Sequence, residues 1–299
     1  MKKNTTYLFL IPLILIVVIY SCNKKNKDTE TITTGKVNIL VDETLMPIVD
    51  DQVAVYESKY NAKITLIPES ESEALNSIAT DKAKIIIAAR KFTNQENKVF
   101  EQKKIIPRVT VFAKDAIALI KNKKSNDTLI ELNEIILFLN QKPSKIKGLV
   151  FDNPNSSTVN YLCNLAKVKQ VPAKNIFSFK TNNEVLKYIS ENEGMIGVVG
   201  VNWISQPMPE MESIIDKVNV LYVKSNNSAK YIYPSQDNIT QGIYPLARDL
   251  YIINCQGKEG LGMGFASFMA GEIGQRIILK SGLVPVNFPQ RNIRIVKNK

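Results

Sequence analysis

"KGLVFDNPNSSTVNYLCNLAKV", Lys147 to Val168, changes character halfway along. The apolar run to Phe151 reads as a short strand, Asp152–Asn155 as a polar loop, and the residues from Ser156 as a helix opening on two serines and a threonine. Strand, loop and helix in that order make one β-α unit. Its helix start points free backbone N–H groups and small hydroxyls the same way, which is how a chain holds an anion. Asp152, at the head of the loop, has the wrong sign for that task.

Outward from this unit the same alternation recurs. "KVNILVD" ends a strand on the acidic pair Asp42 and Glu43. The helix after it has apolar residues at Leu45, Ile48, Val49, Val53 and Tyr56, with Thr44 as its cap and Pro47 in its first turn. "AKITLIP" and "AKIIIAAR" read as strands around the helix "SESEALNSIAT", and "RVTVFAKDAIALIKNK" follows a further helix near Asn94–Gln102. Beyond Val168 come a helix in "NEVLKYISEN", a glycine-rich strand and turn in "GMIGVVGVNW", and a strand in "KVNVLYVK". "FASFMAGEIGQRIILKSGLVP" reads as one long amphipathic helix ending at Gly282. Alternation of this kind predicts an α/β fold with a parallel-rich sheet.

Composition narrows the function. The 299 residues are 44% hydrophobic, enough for a large core. Lys and Arg outnumber Asp and Glu by 39 to 28, a net +11. No zinc-finger spacing, RNP-type strand or basic helix with interleaved aromatics accompanies that charge, so nucleic acid is not the expected partner. The chain contains no histidine. That removes Ser-His-Asp and Cys-His catalysis and His-bearing zinc sites, and no C-x-x-C spacing offers a metal site in their place. The expectation is a non-enzyme with neither cofactor nor metal. Cys163 and Cys255 sit among apolar residues and read as buried free thiols.

At the amino end, Lys2 and Lys3 precede the apolar run Tyr7–Tyr20, too short for a comfortable span and followed at once by polar residues. It ends in "IYSC", which resembles a lipobox. The resemblance implies cleavage before Cys22, lipid on that cysteine, and a polar tether from 22 to 35. Loss of Lys2 and Lys3 leaves 37 basic against 28 acidic residues, a mature net charge of +9.

Six stretches, in order, resemble the periplasmic phosphate-binding proteins of ABC importers, the class II solute-binding fold. They are "DETLMPIVDDQVAVYESKY", "IIIAARKFTNQE", "VFAKDAIALIKN", "GMIGVVGVNW", "GIYPLARDLYII" and "FMAGEIGQRIILKSGLVPV". The resemblance implies two lobes joined by two crossing strands, with mixed sheets and flanking helices. One lobe would comprise 36–115 and 245–299, the other 116–244. It implies that a small oxyanion, phosphate first, is held in the cleft by Thr44, the backbone of Leu45, the Ala89–Arg90 loop, Asp115, Ser156, Ser157 and Thr158. Asp115 would accept a hydrogen bond from a protonated oxyanion.

Two positions depart from the pattern. Ala89 stands where the family has serine, and Asp152 where it usually has arginine, a charge reversal. Asp152 could turn away, pair with Lys147, or meet a cationic part of a solute. The resemblance implies a monomer anchored by lipid to a membrane, facing the periplasm or cell exterior, and partnered by an ABC permease. The alternative is a cell-envelope structural or signalling protein that keeps the fold with an altered site.

Overall fold

The computed structural model describes residues 30–290. The expected leader 1–21, Cys22 and most of the tether lie outside them. The first half runs β1 (Gly35–Asp42), α1 (Met46–Lys59), β2 (Ala62–Glu69), α2 (Glu71–Ala79), β3 (Ile85–Ala88), α3 (Asn94–Gln102) and β4 (Arg108–Asn122). The middle runs β5 (Leu129–Glu131), α4 (Leu132–Leu139), β6 (Leu149–Phe151), α5 (Ser157–Ala166), β7 (Ile176–Ser178), α6 (Asn182–Glu191) and β8 (Ile196–Gly200). Then come α7 (Asn202–Ser205), α8 (Glu212–Ile215), β9 (Val218–Val220), β10 (Tyr222–Lys224), β11 (Tyr231–Ile232) and α9 (Gln236–Thr240). The chain closes with β12 (Ala247–Asn254), α10 (Leu261–Ala270), α11 (Glu272–Lys280) and β13 (Val284–Pro285).

The architecture is a two-lobed, mixed α/β fold organised around β4. The main sheet has the order β2-β1-β3-β12-β4-β8-β6-β7, with β9 and β13 also on β4. The first half of β4 pairs with β12, and its second half pairs with β8 and β9. One strand of 15 residues therefore belongs to both lobes. A second link lies beside it: Ile117 N–H donates to the Leu246 carbonyl, and the Tyr244 hydroxyl donates to the Ile117 carbonyl.

Pairing is less parallel than the alternation of elements predicts. The outer pairs β1–β2, β1–β3, β6–β7 and β6–β8 are parallel, as β-α crossovers require. The central pairs β3–β12, β12–β4 and β4–β8 are antiparallel, because β4 and β12 run between lobes in opposite directions.

Local sequence explains most elements. In α1 the apolar positions Ile48, Val49, Val53 and Tyr56 are all buried, and Pro47 sits in the first turn, where no N–H is needed. Strand β3, Ile85–Ala88, is fully buried on both faces and correspondingly apolar throughout. Cys163 and Cys255 are free and buried.

Three expectations need correction. "KVNVLYVK" is not one strand but two, β9 on the main sheet and β10 in a small sheet with β5 and β11. The C-terminal helix is broken at Gly271, whose ψ of 172° is extended, and α11 restarts from it. The Gln275 side-chain amide fills that break by donating to the Met269 and Phe112 carbonyls. Thr44 is not the side-chain cap of α1. It lies in a 3-10 turn, Glu43–Leu45, and its hydroxyl is directed elsewhere.

Candidate ligand-binding cleft

The residues of the site follow the carboxyl ends of parallel strands, where α/β sheets place their ligands. Asp42 ends β1 and Thr44 follows it. Ala89 follows β3, Asp152 follows β6, and Asn202 and Trp203 follow β8. The β1 and β3 ends belong to one lobe, the β6 and β8 ends to the other, so the two sets face each other across the cleft.

Asp152 lies at the centre of this arrangement, fully buried. Its Oδ1 accepts the Ser156 hydroxyl at 2.6 Å and the Thr158 hydroxyl at 3.1 Å. Its Oδ2 accepts the Thr44 hydroxyl at 3.0 Å and the Asn182 side-chain amide at 3.1 Å. Of the three orientations left open by the sequence, it takes none. It neither turns away nor pairs with Lys147, and it meets hydroxyls and an amide. A buried, ionised carboxylate costs several kcal/mol if left alone. Each hydrogen bond to a charged group returns roughly 1.5–3 kcal/mol, so four donors suffice to hold the charge. Burial nonetheless keeps the Asp152 carboxyl above its ordinary range, while Ser156, Thr44, Thr158 and the nearby Arg248 pull it down.

Thr44, Ser156 and Thr158, all named from the sequence, thus meet at one point. Ser156 is also the N-cap of α5, although its bond to Val159 N–H is long at 3.5 Å. Its proton goes to Asp152.

Ser157 meets a different group. Its hydroxyl accepts from Arg248 Nη1 at 2.9 Å, and Arg248 Nη2 and Nε reach Asp115 Oδ2 at 2.9 and 3.3 Å. Arg248 and Asp115 are direct cross-strand neighbours on β12 and β4. Both are buried, and Asp115 Oδ1 has no hydrogen-bond partner among the described residues. Burial pushes Asp115 above the usual carboxylate range and Arg248 pulls it back.

The remaining sequence candidates make other contacts. Leu45, named for its backbone N–H, directly follows Thr44 in the 3-10 turn and packs its side chain into the core. The Ala89 N–H donates to Glu71 Oε1 at 3.0 Å. The Arg90 guanidinium forms a two-pronged pair with Glu96 at 2.8 and 2.9 Å, with Glu71 Oε2 3.8 Å away.

Several residues of the cleft were not among the candidates. Arg248 is the clearest, and its signal was available: it alternates with Leu250 and Ile252 on the buried face of β12. Asn182, the first residue of α6, donates its side-chain N–H to Asp152 and Glu43, and its side-chain Oδ1 accepts the Gly200 N–H. Asp42 is wholly buried, and neither carboxylate oxygen has a hydrogen-bond partner among the described residues. Burial and the neighbouring Glu71 hold its pKa well above the ordinary value. Glu43 is raised to about 7 by burial and by Asp152. Finally, Trp203, the single tryptophan, donates its indole N–H across the cleft to the Thr44 carbonyl at 2.7 Å, beside Asn202 at 3.3 Å. Among the described residues no group of three or more His, Cys, Asp or Glu is arranged to hold a metal ion.

Solved structures share this fold at low identity. A protein of Clostridium perfringens, assigned as a phosphate ABC transporter substrate-binding protein and solved with bound phosphate, superposes with a TM-score of 0.70 at 18% identity. That match covers 85% of this chain and 100% of the other. An ABC-type phosphate transport receptor of Vibrio cholerae gives 0.64 at 14% identity, covering 84% and 100%. The fold also serves regulation: a variant of the OxyR2 regulatory domain of Vibrio vulnificus gives 0.52 at 10%, covering 79% and 96%. No curated protein matches the chain. The model of the PBP superfamily domain matches residues 26–272. On that match, which spans most of its length, the chain belongs to the PBP superfamily.

Proposed function

We propose that the chain is a non-enzymatic, extracytoplasmic solute-binding protein that takes phosphate or a related oxyanion between its lobes and delivers it to an ABC-type permease. In this reading it is a monomer, tethered to the membrane by lipid on Cys22. The cleft is formed between 36–115 with 245–299 and 116–244.

The observation that carries the reading is the convergence of donors. Thr44 from one lobe and Ser156, Thr158 and Asn182 from the other all deliver protons to one oxyanion, the Asp152 carboxylate. Arg248 stands beside them, held by Asp115 and directed at Ser157 at the start of α5. Hydroxyls, an amide, a guanidinium and a helix start are the donor set for a tetrahedral oxyanion. Asp115 Oδ1 supplies an acceptor suited to the proton of a hydrogen phosphate. The names of the phosphate-binding structures that share the fold support the same solute class.

The test is calorimetric titration of the full chain with phosphate, sulfate, molybdate and phosphonates. The reading expects one saturable site for at least one of them. Absence of saturable heat from all four, with the protein folded, would overturn it.

A further inference from the structure

Asp152 does more than line the cleft. Its two oxygens fill all four of the converging donors, two to each oxygen. One donor, Thr44, belongs to the first lobe, and the other three belong to the second. The carboxylate therefore ties the lobes together at the point where the donors meet. Beside it the Thr44 carbonyl is gripped by Trp203 and Asn202 of the opposite lobe. Further along the cleft, Asn160 of α5 donates to Glu71 and Ser72 of α2.

A carboxylate and the edge of a phosphate offer the same recognition chemistry: two oxygens, a shared negative charge and in-plane lone pairs. The two cannot occupy the donors together. Among the described residues, the charged groups nearest Asp152 are mostly of its own sign. Asp42 and Glu43 approach from the end of β1, and Arg248 from β12 supplies positive charge. That guanidinium is already engaged by Asp115.

Resting on the oxyanion reading above, we propose that Asp152 is a built-in occupant of the cleft: its carboxylate takes the place of a solute oxyanion, draws the lobes together, and is displaced when a solute binds. The backbone that carries it is pinned, because the Asp152 carbonyl accepts the Phe179 N–H. Asn153 and Asn155 form a tight turn in which Ser156 N–H donates to the Asn153 carbonyl and Asn155 N–H to the Asn153 side chain. Displacement therefore turns the Asp152 side chain away from the donors while this backbone and α5 stay in place.

The single tryptophan makes the test simple. Trp203 is buried against Thr44 at the lobe junction, so its emission reports closure. Asp152→Ala removes the occupant and leaves the four donors free. Asp152→Asn, of the same shape, turns amide protons toward groups that themselves donate and serves if the alanine variant fails to fold. Fold integrity is read from far-UV circular dichroism. The full chain and both variants are compared by tryptophan emission without and with inorganic phosphate, and by phosphate titration.

Wild-type emission is expected to be blue and nearly unchanged by phosphate. The variants are expected to emit further to the red alone, return toward the wild-type spectrum with phosphate, and bind it at least about tenfold more tightly, a difference of about 1.4 kcal/mol. Variants that open but bind no oxyanion would uphold the occupant and overturn the oxyanion reading. Variants whose emission matches wild type without phosphate would overturn the occupant, whatever they bind. Equal or tighter phosphate binding by wild type would overturn it as well.

Discussion

Asp152 shows how one side chain can reverse the sign of a site without dismantling it. The donors around it are those an anion needs, and they are satisfied by an anion the chain carries itself. The prediction at this scale is Asp152→Arg. It replaces an acceptor by a guanidinium, frees Thr44, Ser156, Thr158 and Asn182, and adds charge-assisted donors. Phosphate affinity should rise by roughly 1.5–3 kcal/mol, read by titration, the range for a hydrogen bond to a charged group. Unchanged or weaker binding would show that Asp152 is not what limits the site. The sequence made Asp152 conspicuous as a departure but left its direction open, because a loop carboxylate has no periodicity to orient it. Arg248 was legible through the alternation of β12. Asn182 was not, since a helix's first residue gives no sign of reaching 30 positions back to Asp152.

Among the elements, those with strong local periodicity were read correctly, and those shaped by tertiary contacts were not. Helix α1 and strand β3 follow from their apolar spacing alone. The break between α10 and α11 does not, because the amphipathic pattern continues through it. What decides it is a close approach: a Cβ on Gly274 would lie 2.4 Å from the Phe268 carbonyl oxygen and 2.6 Å from the Met269 backbone. Gly274→Ala therefore tests the account of this corner. Alanine gains about 1 kcal/mol of helix propensity. The clash is with backbone, which no rotamer change relieves, and overpacking of that kind costs typically about 1–3 kcal/mol. Chemical denaturation should show a net loss of stability. A net gain would mean that the two helices can separate without cost. The splitting of "KVNVLYVK" has a similar origin. Leu221, between β9 and β10, donates its N–H to the Leu119 carbonyl at the point where the chain leaves one sheet for the other.

At the scale of the molecule, buried carboxylates couple the cleft to pH. Burial raises Asp42, Asp115, Asp152 and Glu43 above their ordinary values. The folded chain then binds more protons than the unfolded one, so stability falls as pH rises through that interval. For Glu43 the interval runs from 4.5 to about 7. Glu96, lowered by Arg90 against its burial, acts in the opposite sense only below its ordinary 4.5. Melting temperature should therefore be higher near pH 5 than near pH 8, and Glu43→Gln should flatten the difference by removing something on the order of 1–3 kcal/mol of pH-dependent unfolding free energy. A melting temperature that rises from about pH 5 to about pH 8 would contradict the upward shift of these buried carboxyls. The proposed lipid anchor belongs to this scale too. Cys22→Ala should move the protein from the membrane fraction to the soluble fraction, and retention in the membrane with unchanged mobility would refute lipidation. The two-lobed fold itself was legible, because six motifs in order constrain topology even when each alone is weak. The internal occupant was not, because it depends on four residues from three separate stretches meeting at one carboxylate. The measurement that bears most directly on the whole account is calorimetric titration of phosphate into the full chain beside its Asp152→Arg variant. The account predicts one saturable site in each, weaker in wild type and tighter in the variant; a folded pair in which neither gives saturable heat would contradict it.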